Sequence, residues 1–419
     1  MGVVMKKKYS FKRIALVSVC LLVAAVVLVV AFLFADGTRI PRLYFEGDIA
    51  GMETKEDTRN ISFQYKSKDM DFSGYAELKI QGTSSLAYDK KNYTIKFFED
   101  EVHEDKLIMD MGWGEQNKYC LKANWIDRTH ARNVVSAKLV SQMQRKYDLL
   151  TQAPRNGAVD GFPVEVYVNG AFHGLYTFNI PKDDWQFGMD SDNPNHIVIG
   201  GEGWEPANLF EAEPDFKTWA VEVGEENDET LEKMKALFDF VINSSDEEFK
   251  ANLDDHLDLD AALNYYVFTD FAYLSDNRGK NILLVTYDGV KWYMSLYDLD
   301  TSWGTTYNGY GLLPYEEKLV DMNRSNLFTR LENCFPKELA ERYFALRQDI
   351  FTKEHIMAEF EAFRKEIPSI SFIKEAIRWG SGIVRKPTDL PGYDYSQIES
   401  YLDIAAEKLD AKYSAMLGS

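Results

Sequence analysis

The feature that most restricts the fold is a succession of short segments in which apolar and polar residues alternate. Five such segments lie in the first half of the chain, at residues 42–47, 61–67, 75–82, 92–98 and 118–123. Alternation with a period of two is typical of β-strands that bury one face. The sequence therefore predicts an antiparallel sheet. It also predicts one helix at residues 127–147, with Asp127 or Thr129 as its N-cap.

Helical periodicity dominates the second half, with amphipathic runs at residues 228–243, 257–273, 324–366 and 394–416. The acidic stretch 211–230 is predicted to be a solvated loop. Asn169-Gly170 predicts a tight hairpin turn within residues 164–180, and a second hairpin around Asp288-Gly289 interrupts the helices. We therefore predict an α+β chain with a strand-rich lobe at 36–180, a mainly helical lobe at 181–419 and a cleft between them.

An uncharged apolar run occupies residues 14–35 and follows a tail, residues 1–13, with five basic side chains, Lys6, Lys7, Lys8, Lys12 and Arg13. Such a run is long enough to cross a hydrocarbon core of roughly 30 Å as a helix. It predicts a transmembrane helix or a signal sequence, of which an uncleaved transmembrane signal anchor is favoured. Basic residues before the helix favour a cytoplasmic N-terminus, so we expect a single-pass protein of the cell membrane whose C-terminal domain is extracytoplasmic.

The formal net charge of −20 argues against nucleic acid as a partner, because a negative field repels phosphate backbones. Beyond the apolar run there are two cysteines, Cys120 and Cys334. They are too few for a disulfide framework and lack metal-binding spacing. Two free thiols or one disulfide remain the alternatives.

Polar residues stand at the two ends of the second hairpin. Asp276 and Asn281 form Asp-x-x-x-x-Asn before its first strand, and Asp298 follows its second strand. In protein kinases this order supplies a catalytic-loop Asp and the oxygen ligands of Mg²⁺. A hairpin brings its ends together, so Asn281 and Asp298 are predicted to share one metal site. The alternative is that these residues only cap loops and form turns.

Four stretches, "IQGTSSLAYDKKNYTIKF", "NWIDRTHARNVVSAKL", "VEVYVNGAFHGLYTFNIPKDD" and "KWYMSLYDLDTSWG", resemble the motifs of the CotH kinase family, atypical protein kinases of the spore-coat type. The resemblance covers about residues 40–310. It implies a divergent protein-kinase-like fold with two lobes, ATP with Mg²⁺ or Mn²⁺ as cofactors, and phosphorylation of Ser or Thr on protein substrates, at the cell envelope or spore surface.

The same resemblance assigns roles to the residues of the hairpin region. Asp276 would be the catalytic Asp that accepts or orients the proton of the acceptor hydroxyl. Asp298 would hold the metal, with Asn281 as a second ligand. Asp300 would be an additional ligand or a group that positions the loop.

Further residues match the family on the strand-rich side. Gly82 and Ser84 lie at a turn whose backbone N–H groups could bind phosphate oxygens. Lys90 and Lys91 match a lysine pair, of which only one can face the cleft; Lys90 is preferred as the phosphate-binding residue. Arg132 either touches phosphate, orients the surroundings of the lysine, or forms an ion pair with Asp127.

Several positions depart from the kinase pattern. Leu274-Ser275 replaces the His-Arg that precedes a kinase catalytic Asp, Asp-Leu-Asp replaces Asp-Phe-Gly, and Ile180 stands where many family members have Glu.

Two alternatives therefore remain beside an active kinase. One is a non-catalytic, kinase-like surface or scaffold protein. The other is a metal-dependent glycosyltransferase that uses Asp298-Leu-Asp300 as its Asp-x-Asp motif. For an active kinase, the acidic surface predicts basic, Ser-containing protein substrates.

Overall fold

The first half of the chain folds into a closed barrel of seven strands. The computed structural model describes residues 18–20, 24, 40–305, 325–380 and 392–418. Around the barrel the strands follow the order β1-β2-β3-β4-β7-β9-β8. Their bounds are β1 Arg42–Glu46, β2 Thr58–Lys66, β3 Asp71–Gln81, β4 Asn92–Phe98, β7 Lys118–Lys122, β8 Gly161–Val168 and β9 Ala171–Asn179. Two further strands, β5 (Met109–Asp110) and β6 (Glu115–Gln116), form a separate small ribbon.

Alternation along the strands decides which side chains fill the barrel. On β4, Tyr93, Ile95 and Phe97 are buried inside, where they belong to one apolar core with residues of all the other barrel strands. Residues between them, such as Thr94 and Lys96, point outward. A small barrel whose interior is filled by side chains has no lumen for a ligand. Any ligand site on the barrel must therefore lie on its outer surface.

The α+β class is confirmed, and the five predicted strands occur within a few residues of their expected positions. The predicted antiparallel sheet is corrected to a closed barrel that includes one parallel pair of strands. Closure results from β1, which pairs antiparallel with β2 and parallel with β8, with Leu43 opposite Val166. Alternation within a strand does not specify this long-range partner, so the sequence alone gave no sign of closure.

The turn between β8 and β9 has the predicted form. Val168 pairs with Ala171, which leaves Asn169 and Gly170 as the two turn residues. Both have positive φ, 50° and 76°. This is the geometry that a tight two-residue hairpin requires, and Asn-Gly adopts it readily.

A second sheet of four antiparallel strands has the order β11-β10-β12-β13. Its strands are β10 Ile197–Gly201, β11 Trp219–Val223, β12 Ile282–Thr286 and β13 Trp292–Leu296. The predicted solvated loop 211–230 is therefore wrong at β11. The reason is Trp219, which is fully buried and packs edge-on against Phe210 and Phe238.

Ten α-helices are found in the described part of the chain from residue 40 onward. The bounds are α1 Arg132–Lys146, α2 Asp184–Phe187, α3 Asp228–Asn243, α4 Asp246–His256, α5 Leu259–Ala272, α6 Asn326–Cys334, α7 Pro336–Leu346, α8 Lys353–Glu366, α9 Ser369–Trp379 and α10 Ser396–Leu417. The predicted helices 228–243 and 394–416 coincide closely with α3 and α10. The predicted run 324–366 is three helices, of which α7 begins at Pro336, a residue favoured in the first turn.

Helix α9 lies against the outside of the barrel and is attached to it by polar contacts. Glu165 of β8 is buried and accepts hydrogen bonds from Ser371 Oγ and Lys374 Nζ, both at 2.8 Å. Burial opposes the charge of Glu165, but these donors prevail and lower its pKa. The C-terminal part of the chain is thus joined to the first half by charged contacts as well as by apolar packing.

The prediction of a single-pass membrane protein is corrected. Among the residues that the structure describes, no helix combines the length and the apolar character needed to cross a bilayer. Apart from residues 18–20 and 24, the predicted span at 14–35 lies outside the described residues, as does the basic tail at 1–13.

Cys120 and Cys334 are both free and buried, which settles the alternatives in favour of two thiols. Burial raises the pKa of both thiols. Neither is in the reactive thiolate form at neutral pH.

Candidate functional site

The hairpin β12–β13 places its polar ends side by side. Ile282 pairs with Leu296, so the preceding Asn281 and the following Tyr297 and Asp298 lie at one edge of the second sheet. Asn281 and Asp298 have φ of 61° and 57°, in the left-handed region that Asn and Asp tolerate better than other side chains. The predicted approach of these two residues is what the hairpin register produces.

Asp276 begins a short 3₁₀ turn, Asp276–Arg278, just after helix α5. The next residue, Asn277, is fully buried and connects this turn to the hairpin. Its side-chain amide donates to the backbone oxygen of Tyr297 at 2.8 Å and to that of Asn281 at 3.4 Å. One amide thus fixes the position of the Asp276 turn relative to both ends of the hairpin.

Arg278 anchors the same turn in the protein interior. Its guanidinium is fully buried and pairs with the equally buried Asp270 at 2.6 Å. It also donates to Thr269 Oγ1 at 2.9 Å and to the backbone oxygen of Tyr266 at 3.0 Å. The sequence analysis did not identify Arg278 or Asn277, although both lie inside the Asp-x-x-x-x-Asn motif.

The Asp-Leu-Asp segment is held from the other side by helix α1. The backbone N–H of Leu299 donates to Asn133 Oδ1 at 2.9 Å. Three residues further on, Ser302 Oγ lies 2.9 Å from Ser136 Oγ, and its backbone oxygen accepts from Arg132 Nε at 3.1 Å. Asp298 and Asp300 therefore flank a residue whose backbone N–H is held by helix α1.

A cavity of about 1470 Å³ lies between the outer face of the barrel and the second sheet. Asp276, Asn281, Asp298 and Asp300 all line it. The opposite wall consists of outward residues of β3, β4 and β7, because alternation directs their apolar neighbours into the barrel. Eight lysines line the cavity, an unusual concentration in a chain of net charge −20: Lys55, Lys79, Lys90, Lys96, Lys118, Lys122, Lys182 and Lys280.

The hairpin side of the cavity brings several carboxylates close together. Burial raises the pKa of Asp300 well above its usual range, and the carboxylates of Asp298, Asp127 and Asp276 raise it further against the opposing effect of Lys122. Carboxylate and amide oxygens are the ligands that Mg²⁺ takes in proteins. The donor set of Asp298, Asn281 and Asp300 therefore fits a hard divalent cation by its chemistry.

Within the described ranges, however, no group of three or more His, Cys, Asp or Glu side chains is arranged to hold a metal ion. A cation here would draw on the Asn281 amide and on water as well as on carboxylates.

Lys90 lines the cavity, but its ammonium is fully engaged by protein atoms. Nζ is buried and donates to the backbone oxygens of Ala123 at 2.9 Å and Leu175 at 2.5 Å, and to Glu375 Oε1 of α9 at 2.7 Å. These three partners use all the N–H donors that an ammonium has. Burial lowers the pKa of Lys90 although Glu375 opposes that effect.

Other residues named from the sequence are distributed between the cavity and its surroundings. Gly82 lines the cavity with φ of 109°, and a Cβ there would fall 1.9 Å from Ser85 Oγ. Ser84 begins the 3₁₀ helix Ser84–Ala87. Lys91 lies at a different, smaller pocket and donates to the backbone oxygen of Leu86 at 2.6 Å.

Arg132 does not line the cavity. It is buried and pairs with Asp127 at 2.5 Å, which is one of the roles considered for it. Asp127 also accepts from the backbone N–H of Arg132 at 2.9 Å and so caps helix α1 from outside the usual N-cap position.

Among the cavity residues that the sequence analysis missed are Lys122, Lys182 and Tyr297, and both lysines contact Tyr297. Lys122 donates to the hydroxyl of Tyr297 at 3.1 Å, and the ammonium of Lys182 lies 4.5 Å from the centre of the Tyr297 ring. The sequence did hold a signal for Lys122, since period-two alternation in "KYCLKA" places Lys118 and Lys122 on the outward face.

The fold and site define an α+β protein with a large polar cavity, acidic on the hairpin side and rich in lysine on the barrel side. The family model described as CotH kinase protein matches residues 78–377. This match covers well over half of the sequence and includes both walls of the cavity. The chain therefore belongs to the CotH kinase family. No curated protein matches it.

Proposed function

We propose that the chain is a protein kinase of the CotH type that transfers the γ-phosphoryl group of ATP to Ser or Thr of protein substrates. The observation that carries this proposal is the single cavity that collects Asp276, Asn281 and Asp298 opposite a wall of lysines. Phosphoryl transfer needs these two kinds of charge in one place. In this proposal the barrel and the helical part with its sheet act as the two lobes of a divergent kinase.

Each residue of the hairpin region then has a defined task. The Asp276 carboxylate accepts or orients the proton of the acceptor hydroxyl, and the buried Asn277 amide holds it in register with the hairpin. Asp298 and Asn281 would hold Mg²⁺ or Mn²⁺, with Asp300 beside them. When bound, the cation supplies positive charge that stabilises the phosphate oxygens during transfer.

Transfer of label from γ-labelled ATP to a Ser-containing peptide tests the proposal directly. We expect labelling by the wild type with Mn²⁺ or Mg²⁺ and its loss in Asp276→Asn. The matched control is Asp69→Asn, an exposed carboxylate in a barrel turn. Full labelling by the Asp276→Asn protein would remove that residue from the mechanism, and no labelling by the wild type would argue against activity.

A second candidate is a non-catalytic, kinase-like binding module. Two observations favour it. Hydrogen bonds to protein atoms occupy all three donors of the Lys90 ammonium. In the described part of the chain, no group of three or more His, Cys, Asp or Glu side chains is arranged to hold a metal ion. Thermal unfolding with ATP and Mn²⁺ separates the candidates, because a ligand at 100 times its Kd stabilises by roughly 2.7 kcal/mol. An unchanged melting temperature supports the binding module.

For the acceptor we propose a basic, Ser-containing segment. Glu202, Glu205 and Glu222 line the cavity together with Asp276, which gives it several carboxylates to attract a basic segment. Complementary charge increases the rate of encounter. Lys/Ser-rich and Glu/Ser-rich peptides of equal length should differ in labelling by at least about tenfold at low salt. Equal labelling of the two peptides contradicts this acceptor class.

A further inference from the structure

The cavity contains a buried cation whose hydrogen-bonding capacity is largely unused. Lys122 is only 9% exposed, and within the described chain its ammonium has one hydrogen-bond partner, the hydroxyl of Tyr297 at 3.1 Å. Two of its three N–H donors are therefore without an acceptor. Leaving donors of a buried charge unpaired is costly. Such an ammonium, placed at a cavity wall, is suited to an anion.

The surroundings of Lys122 favour its charged form. Burial opposes the charge, but Tyr297 and Asp298 outweigh it and raise the pKa of Lys122. Because the Tyr297 oxygen accepts from Lys122, the O–H of Tyr297 stays available to donate to a second acceptor. The two side chains thus offer an ammonium and a hydroxyl next to Asp298, one of the residues assigned to the metal.

Lys90 differs in each of these respects. Its three donors are used by two backbone oxygens and by Glu375. A phosphate could reach this ammonium only if one of these contacts broke, and a backbone oxygen or the Glu375 carboxylate would then lose its donor. The contacts instead connect the barrel to helix α9, which is a structural task.

We infer that Lys122, together with the hydroxyl of Tyr297, binds the phosphate chain of the nucleotide, and that Lys90 does not. This inference rests on the proposed function for the identity of the nucleotide. The phosphate chain then extends from the outer face of β7 towards Asp298, so that a cation held by Asp298 meets phosphate oxygens from the opposite side. Charge-assisted hydrogen bonds of this kind are the stronger ones in proteins.

Calorimetric titration with three probes, ATP with Mg²⁺, inorganic triphosphate with Mg²⁺, and adenosine, tests the inference. For Lys122→Met we expect at least about tenfold weaker binding of ATP and of triphosphate, with adenosine affinity unchanged. Tyr297→Phe keeps the ring but removes the hydroxyl, and it should weaken the binding of ATP by about two- to fivefold. Lys66→Met, at the exposed end of β2, serves as the control.

The outcomes distinguish this inference from the proposed function. If the wild type binds ATP and Lys122→Met binds it equally well, or if Lys90→Met weakens ATP more than Lys122→Met does, the inference is wrong while the kinase proposal stands. If the wild type binds triphosphate through Lys122 but not ATP, the anion site stands and the kinase proposal fails. If the wild type binds neither, both are wrong. Melting curves of each variant verify that it is folded.

Discussion

Asp298 combines a left-handed backbone conformation with a position at the end of a fully hydrogen-bonded hairpin. Asp tolerates positive φ at a modest cost, whereas a bulky side chain there is strained. The conformation directs the chain from β13 back towards helix α1, where Asn133 Oδ1 accepts a hydrogen bond from the backbone N–H of Leu299. The residue therefore serves both the path of the backbone and the proposed metal site.

Asp298→Asn separates these two roles, because Asn keeps the backbone preference and removes the charge. We expect a melting temperature close to that of the wild type without ligand. We also expect loss of most of the roughly 2.7 kcal/mol that saturating ATP with Mn²⁺ would supply. Differential scanning fluorimetry with and without EDTA measures both effects. Stabilisation by ATP that survives both EDTA and Asp298→Asn would show that no metal at this residue is needed.

Two histidines near Lys90 predict how stability depends on pH. Burial and the neighbouring charges of Lys90 and Arg378 lower the pKa of His173 from 6.5 to about 4, and burial with Lys90 lowers that of His130 well below its usual value. The folded state then binds fewer protons than the unfolded state between pH 6.5 and pH 4. The contribution of these neutral histidines to the free energy of unfolding is fully present above about pH 6.5 and decreases as the pH falls.

His173→Phe tests this pH dependence, since a phenyl ring can keep the contacts with Tyr176 and Trp379. Between pH 7.5 and pH 5.5 the wild type should lose roughly 1 kcal/mol more stability than the variant. Urea unfolding at the two pH values measures this difference. Equal losses in the two proteins would show that His173 does not titrate as proposed.

At the scale of elements, the Asp276–Arg278 turn depends on the buried pair of Arg278 and Asp270. Asp270 also accepts from Lys412 Nζ at 2.8 Å and from the hydroxyl of Tyr413 at 2.9 Å, so helix α10 takes part in the same contact. The position of Asp276 is thus connected to the last helix of the chain through one buried carboxylate.

Asp270→Ala should destabilise the protein by about 3–5 kcal/mol, because it leaves the Arg278 guanidinium buried without its counter-charge. The control is Glu341→Ala, which removes a partner from the exposed pair with Lys337 at 3.7 Å and should change stability by less than about 1 kcal/mol. Chemical denaturation of both variants measures the difference. Similar small effects would show that the buried pair is dispensable.

The elements that the sequence predicted are those with a clear period. Five barrel strands and the Asn169-Gly170 hairpin follow from alternation and turn chemistry, and α3 follows from its apolar stripe. Strand β10 was missed because Ile197, Val198 and Ile199 are all buried, which removes the alternation. Helix α4 was missed because only Phe249 and Leu253 are buried along it.

In the candidate site, too, features set by local sequence could be predicted and features set by distant contacts could not. The meeting of Asn281 and Asp298 could be predicted because it needs only the hairpin register. The saturation of Lys90 could not, since its partner Glu375 is 285 residues away in sequence. Local spacing identifies which residue types are present, and only the folded chain determines which of their donors are already used.

At the scale of the whole molecule, the barrel depends on β1. Every backbone donor of this strand faces β2 or β8, so a proline in its middle removes a hydrogen bond that no other group replaces. Tyr44→Pro should lower the melting temperature by roughly 3–4 °C, for a loss of about 3 kcal/mol in a chain of 419 residues.

Lys55→Pro is the matched control for this strand. Lys55 occupies the second position of a turn from Thr54 to Asp57, where proline is favoured, and we expect little change. Circular dichroism melting curves compare the two variants. A Tyr44→Pro protein as stable as the wild type would show that closure by β1 adds little.

The parallel contact between β1 and β8 also bears on how the chain is made. About 120 residues separate Arg42 from its partner Glu165. At roughly 5–20 residues per second, a ribosome delivers the second of them on the order of 6–24 s after the first. Throughout that interval the edges of the nascent strands carry unpaired backbone groups that can pair with other chains and aggregate. Translation speed and chaperone supply should therefore govern how much protein reaches its native state.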